Sequence, residues 1–169
     1  MSLAYDIARQ RAPIQEDGFR ADYLQALRLI ERLHRLLLDV IKDEFDRQGG
    51  ADLNSVQALL LYNIGESELT AGELKTRGYY LGSNVSYNLK KLVDMGYIHY
   101  KRSDTDRRSV RVSLTEKGLE ARDIVCKLYL RQLNSVQSVG EVSGDDVKSL
   151  NKALVRLERF WSDQIRYRL

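Results

Sequence analysis

The sequence predicts a mainly α-helical fold with one small β-hairpin set between long flanking helices. Apolar residues recur at three- and four-residue steps over long stretches at both ends of the chain, as on one face of a helix. Between residues 54 and 96, three shorter helical segments precede two β-prone runs that flank a polar turn. This order of short helices and hairpin is typical of a winged helix-turn-helix.

Composition is compatible with an ordinary globular domain. The 169 residues are 43% hydrophobic, which is enough to supply a core. The single cysteine, Cys126, excludes an internal disulfide framework, and no run approaches the roughly 18 consecutive apolar residues of a membrane-spanning helix. The first residues show no secretory signal. We therefore expect a cytoplasmic protein that does not enter a membrane.

The N-terminal region is predicted to form an arm followed by a long helix. Residues 1–20 are assigned to the arm, because residues 1–16 lack clear periodicity and include the only proline, Pro13. A first helix is predicted within residues 21–49, before Gly49 and Gly50. Its apolar face consists of Leu27, Ile30, Leu33, Leu37, Ile41 and Phe45.

The next region, residues 51–115, is predicted to hold the winged helix-turn-helix. Asn54 with Gln57, and Thr70 with Glu73, have the spacing of capping boxes that open the second and third helices. A fourth helix is predicted over Ser83 to Met95, with Gly96 at its end. The runs 97–100 and 110–114 then form the hairpin, the wing, around the polar tip 103–106.

Residues 116–169 are predicted to form two C-terminal helices that pair with a second copy of the chain. Thr115 caps the fifth helix, Gly140 interrupts it, and Ser143 opens the sixth. The last helix has the three-four spacing of helices that pair. The predicted dimerisation residues are Leu27, Val147, Leu150, Leu154, Leu157 and Trp161.

Charge distribution points to double-stranded DNA as a partner. The net charge is only +3, but the segment from Lys90 to Arg111 holds seven basic and three acidic residues. On the fourth helix, 100° steps turn Ser83, Asn84, Tyr87, Lys90 and Lys91 away from the apolar side, and such side chains can contact base edges and phosphates. At the wing tip, Arg107 and Arg108 can enter a minor groove while Asp106 orients one of them.

The run of residues 106–118, DRRSVRVSLTEKG, closely resembles the wing signature of the MarR (multiple-antibiotic-resistance-regulator) family of transcription regulators. Residues 83–89 resemble that family's recognition helix, and the resemblance extends over residues of about 20 to 165. It implies a bacterial homodimer that binds a pseudo-palindromic operator, most often as a repressor. It also implies that Arg108 is the wing-tip arginine and Asp106 its partner. Residues 29–37 and 81–91 further resemble the branch named for regulating an L,D-transpeptidase.

The resemblance also implies a small, often aromatic ligand between the DNA-binding lobe and the dimerisation helices. The candidate lining residues are Leu33, Leu37, Leu61, Tyr62 and Tyr80, although apolar residues at helical spacing more often belong to a core.

Other functions find less support in the sequence. Cys126 lies in an apolar helical pattern without a histidine close in sequence, which favours a buried structural thiol over a catalyst or an oxidant sensor. His34 and His99 lack metal-ligand spacing, and we expect neither a metal nor a cofactor. The main alternative to a DNA-binding regulator is a winged helix that binds another protein.

Overall fold

The computed structural model describes residues 13–49, 52–70, 73–74, 82–102 and 110–167. For residues 13–17, 82–85, 102 and 110 it describes the backbone alone. Within these ranges the chain forms five helices and a three-stranded antiparallel sheet, which confirms the predicted fold class.

The first helix, α1 (Pro13–Arg47), begins earlier than the sequence predicted. The sequence predicts that residues 13–20 belong to an arm, because Pro13 can indicate irregular structure. At the first position of a helix, however, proline is favoured, since its φ angle suits the helix and its missing N–H would have no helical partner there. Near the other end of α1, Ile41 and Phe45 are buried in the core, as their spacing predicted.

The second helix, α2 (Ser55–Ile64), has the capping box that the sequence predicted. The Gln57 N–H donates to the Asn54 side chain at 2.9 Å, and the Asn54 N–H donates to Gln57 Oε1 at 3.1 Å. Gly65 follows the helix with a φ of 69°, a conformation that favours glycine.

A second capping box follows strand β1 (Leu69–Thr70). The Glu73 N–H donates to Thr70 Oγ1 at 3.1 Å, and the Thr70 N–H donates to Glu73 Oε2 at 2.7 Å. Glu73 and Leu74 are helical, as predicted for the third helix, whose remaining residues lie outside the described ranges.

The next helix, α3 (Gly82–Asp94), is the fourth predicted from the sequence. It ends at Gly96 with a φ of 78°, as predicted. Two backbone bonds close the last turn, from the Gly96 N–H to Val93 O at 3.0 Å and from the Tyr97 N–H to Leu92 O at 2.9 Å. This is the Schellman arrangement, which pairs carbonyls that the helix leaves unpaired.

The predicted hairpin is present as strands β2 (Ile98–Arg102) and β3 (Val110–Leu114), paired with Tyr100 opposite Val112. Strand β1 was not predicted. It pairs antiparallel with the other edge of β3, so the strand order is β1-β3-β2. A two-residue strand has no periodicity to detect, and its partner lies about 40 residues further along the chain.

Two helices complete the chain, α4 (Glu116–Ser138) and α5 (Gly144–Tyr167). Thr115 caps α4 by accepting a hydrogen bond from the Gly118 N–H at 3.1 Å. Ser143 Oγ accepts one from the Asp146 N–H at 3.1 Å at the start of α5. Both caps were predicted from the sequence. No helix in the described ranges is long and apolar enough to cross a membrane.

A single apolar core joins α1, α2, the sheet, α3 and α4. Its largest fully buried side chains are Ile41, Leu60, Leu61, Ile64, Leu74, Leu92, Val112 and Val125. None of the described residues of α5 is buried. The described residues of the chain therefore leave most of the apolar positions of this helix exposed, and none of them fully covered.

A buried carboxylate on α1 forms an ion pair with an arginine on α4. The Glu44 residue is 2% exposed, and its Oε2 lies 2.6 Å from Nη2 of Arg131 on α4. The Gln48 side-chain amide donates to Glu44 Oε1 at 3.2 Å, and Arg47 lies 3.6 Å from Oε2. Hydrogen bonds from Arg131 and Gln48 hold the pKa of Glu44 below its usual range.

Candidate nucleic-acid interface

Helix α3 presents a polar and cationic face to solvent. Leu89 and Leu92 are buried in the core, which turns Tyr87, Lys90 and Lys91 outward, as the 100° steps of the sequence predicted. The Tyr87 ring is 63% exposed, and Lys91 Nζ lies 5.9 Å from its centroid. Donors of these kinds can reach phosphates and base edges from one side of a helix.

The structure does not place the other predicted DNA contacts. Ser83 and Asn84 belong to the first turn of α3, but their side chains are outside the described residues. Asp106, Arg107 and Arg108 lie between strands β2 and β3, in a stretch that is also outside the described ranges. Their roles remain predictions.

A groove separates the exposed face of α3 from strand β2. It encloses about 400 Å³ and is lined by Ser86, Leu89, Lys90, Val93 and Tyr100. Tyr100 is half-exposed and was not among the predicted contacts. Side chains alternate along a strand, so Tyr100 lies on the same face of β2 as the buried Ile98. Alternation alone therefore gives no sign that the Tyr100 ring is exposed in a groove.

Part of the basic segment is engaged in ion pairs within the chain. Arg111 Nη1 lies 3.1 Å from Glu68 Oε2, across the β1–β3 edge of the sheet. Beyond this segment, Arg122 on α4 also forms an ion pair, with Glu66 at 2.9 Å. Net charge alone therefore overstates the cations that this segment offers to DNA, whereas Lys90 and Lys91 are exposed and turned outward.

The predicted dimerisation residues lie on an uncovered surface. Val147, Leu150 and Leu154 are exposed on α5, while Leu27, Leu157 and Trp161 are half-buried. Exposed apolar side chains also occur on α1 between residues 19 and 36, and between residues 130 and 139 at the C-terminal end of α4. These are Phe19, Leu24, Leu29, Leu33, Leu36, Leu130, Leu133, Val136 and Val139.

Four of the five predicted ligand-lining residues have described side chains, and these differ in exposure. Leu61 is fully buried in the core, Leu37 packs against it, and Leu33 is 57% exposed on α1. Tyr80 lies outside the described ranges. Tyr62 instead packs edge-on against Tyr129, with ring centroids 4.9 Å apart, and lines a cleft between α2 and α4.

The cleft encloses about 420 Å³ and contains Cys126, together with Leu130 and Leu133. Cys126 was predicted to be a buried thiol, but it is only half-buried. The core contact of α4 is made by Val125 and Leu128, and Cys126 lies 100° away from Val125 at the edge of that face.

Comparisons with known proteins agree with this geometry. Residues 53–118 match the family described as "Winged helix DNA-binding domain". The exopolysaccharide II synthesis transcriptional activator ExpG of Rhizobium meliloti (strain 1021) is 37% identical over 154 residues, which cover 89% of this chain and 77% of ExpG. The chain is thus a winged-helix DNA-binding protein.

Solved structures share the fold. AbsC, a MarR family transcriptional regulator from Streptomyces coelicolor, matches with a TM-score of 0.64 at 23% identity, over 83% of this chain and 95% of AbsC. A mutant MarR from E. coli complexed with operator DNA matches with a TM-score of 0.65 at 20% identity, over 80% of this chain and 95% of that one. The chain therefore belongs to the same family as the transcriptional activator ExpG and has the winged-helix fold of the MarR family regulators.

Proposed function

We propose that the protein is a sequence-specific transcription regulator that binds a pseudo-palindromic operator as a homodimer. The observation that carries this proposal is the outward face of α3, where Tyr87, Lys90 and Lys91 stand exposed at the position of a recognition helix. The two α3 helices of a dimer would enter successive major grooves, and the two wings would reach the flanking minor grooves. In that arrangement Ser83, Asn84 and Tyr87 read bases, while Lys90 and Lys91 contact phosphates.

The homodimer is supported by the apolar surface that one copy leaves open. Helix α5 has none of its described residues buried, and α1 and α4 also carry exposed apolar side chains. Apolar patches of this extent are uncommon on soluble monomers and mark interaction surfaces. A second copy supplies the same helices, so that one surface can cover the other about a two-fold axis.

The sign of regulation depends on where the operator lies relative to the promoter. We propose repression, in which the bound dimer blocks polymerase and a small aromatic ligand releases it. Activation is the second candidate, because the relative with 37% identity is named a transcriptional activator. Both outcomes use the same DNA contacts, and both place the protein in the cytoplasm with the bacterial chromosome. Membership of the L,D-transpeptidase branch stays a prediction.

Selection from a randomised duplex library tests the proposal against a winged helix that binds another protein. The DNA-binding regulator predicts an enriched palindrome and an affinity that falls steeply with salt. Recovery of no preferred sequence would contradict it and favour the protein-binding alternative.

Two variants then distinguish a side chain that recognises bases from one that contributes affinity without recognising bases. Tyr87→Ala is expected to relax preference at particular operator positions by roughly 1–3 kcal/mol if a base-edge contact is lost. Arg108→Ala is expected to reduce affinity mainly on operators with A-tract flanks, because a minor-groove arginine responds to groove width and potential. A change in core-base preference with Arg108→Ala but not with Tyr87→Ala would reverse these roles.

A further inference from the structure

The first turn of α4 contains two residues that local helix preferences disfavour. Lys117, the second residue of the helix, places a cation where the helix dipole favours negative charge. Gly118, the third, costs about 1 kcal/mol relative to alanine in a helix interior. Such local conflicts point to a role beyond helix formation.

The contacts of Gly118 explain the glycine. A Cβ at this position would lie 2.2 Å from the backbone oxygen of Tyr97, between helix α3 and strand β2. Thr115 binds the same turn to this backbone through two hydrogen bonds. Its N–H donates to Tyr97 O at 3.1 Å, and its hydroxyl donates to Gly96 O at 2.7 Å. The start of α4 therefore lies directly against the backbone that ends α3.

Lys117 makes two contacts across the same junction. Its Nζ donates to Met95 O at 3.1 Å and lies 4.1 Å from the centroid of the buried Tyr97 ring. A cation at this end of α3 is favourable, because the last carbonyls of a helix carry partial negative charge. The Lys117 cation is therefore unfavourable for the dipole of its own helix, α4, but favourable for the dipole of α3.

We propose that Lys117 is a positioning residue that fixes the recognition helix α3 on the dimerisation helix α4. Lys117 itself need not touch DNA. This inference rests on the proposed function, because it concerns how a dimer presents its two α3 helices. With the junction fixed, the separation of the two recognition helices follows from the dimer interface.

A fixed separation makes half-site spacing part of operator recognition. Adding or removing one base pair moves a half-site by about 3.4 Å and rotates it by roughly 35° around the duplex. A rigid junction cannot absorb that change without strain. A loosened junction tolerates the changed spacing better, because α3 can move relative to α4. Ordering that junction when DNA binds costs conformational entropy, so binding at the correct spacing is weaker.

The experiment compares the full-length protein with Lys117→Gln, Lys117→Arg and Lys127→Gln. Lys127 lies on the same helix and pairs with Asp123 at 2.6 Å, so its replacement controls for loss of one positive charge from α4. The probes are three duplexes built from the palindrome selected by the wild-type protein, with the selected spacing or with one base pair added or removed. Urea unfolding checks that each variant is folded.

We expect Lys117→Gln to bind the selected spacing roughly two- to fivefold more weakly, the size of an exposed cation–π contact. Its loss on the altered duplexes should be smaller, so its discrimination between spacings falls. Lys117→Arg should restore discrimination, since arginine can make both contacts, and Lys127→Gln should retain it.

An equal loss on all three duplexes, or no loss on any, overturns the positioning role and leaves the proposed function intact. Failure of the wild-type protein to select any palindrome overturns the proposed function, and the inference with it.

Discussion

Gly118 is a residue at which the packing of neighbouring backbone outweighs local preference. Gly118→Ala gains up to about 1 kcal/mol of helix propensity. Its new Cβ, however, meets the Tyr97 carbonyl at 2.2 Å, and a backbone oxygen cannot turn aside as a side chain can. Overpacking of this kind typically costs about 1–3 kcal/mol, so we expect a net loss in the free energy of unfolding.

Urea unfolding of Gly118→Ala measures this loss, with Gly144→Ala as the matched control. Gly144 opens α5, and a Cβ there would meet nothing within 4 Å. The control should be neutral or slightly stabilising. If both variants were equally stable, the close approach of α4 to Tyr97 would be refuted.

Glu44 gives stability a dependence on acid pH. Hydrogen bonds from Arg131 and Gln48 lower the pKa of Glu44 in the folded state. A lowered pKa means that the stabilisation is complete above the unfolded value of about 4.3 and is lost as pH falls through the folded value. Glu44→Gln removes the charge and should cost roughly 1–3 kcal/mol at pH 7, as for a hydrogen bond to a charged group.

The difference in unfolding free energy between wild type and Glu44→Gln should stay constant from about pH 7 to 5 and shrink below about pH 4. Glu66→Gln is the control, because its ion pair with Arg122 is exposed on the carboxylate side and such pairs contribute little. A difference that grew as pH fell would contradict the lowered pKa of Glu44.

At the level of single residues, the sequence predicted hydrogen bonds between residues that lie close together in the chain, such as the capping boxes. Asn54 and Gln57, or Thr70 and Glu73, lie three residues apart, so the chain itself brings them into contact. Glu44 and Arg131 are 87 positions apart and meet only when α1 packs on α4. No periodicity in the sequence predicts such a contact.

Among the elements, helix α3 allows the most direct test of DNA binding. Lys91 is exposed on the outward face, and each phosphate contact contributes about 0.9 to the slope of log affinity against log salt. We expect Lys91→Gln to weaken binding to selected and random duplexes alike and to reduce that slope by about 0.9 for each bound protomer. Lys127→Gln, on α4, should leave the slope unchanged.

Affinity titrations at several salt concentrations provide the measurement. Unchanged binding of both duplex types by Lys91→Gln would show that this face of α3 is not against the phosphates. A loss confined to the selected duplex would instead assign Lys91 to base reading.

Elements were predicted where periodicity and caps agreed, and missed or misplaced where they did not. The hairpin and the ends of α2 and α3 match the sequence because strand alternation and glycine stops coincide there. The start of α1 at Pro13 was placed too late, because proline marks either a break or a beginning. Five of the eight predicted DNA-contacting side chains, at 83–84 and 106–108, lie outside the described residues, and all eight contacts with DNA stay predictions.

At the scale of the whole molecule, the described residues leave many apolar side chains exposed on the long helices. Helices α2 and α3 and the sheet bury apolar side chains in the core, whereas α5 and the first half of α1 carry apolar side chains that are exposed to solvent. The sequence predicted the seam on α5 from its spacing. It also assigned the seam to pairing with a second copy of the chain, and that pairing stays a prediction, because periodicity shows which face is apolar and not what covers it.

The last prediction tests whether a second copy covers that face. Leu154, 37% exposed, lies in the seam of α5, and its neighbour Val155, 62% exposed, is turned 100° away from it. Leu154→Asp would place an unpaired carboxylate in the dimer interface, at a cost of several kcal/mol, whereas Val155→Asp would leave the carboxylate in water. Sedimentation velocity should therefore show a dimer for the wild type and for Val155→Asp, and monomer or unfolded chain for Leu154→Asp. A wild type that sediments as a monomer at micromolar concentration would refute the homodimer, and two equally dimeric variants would place its interface away from this seam.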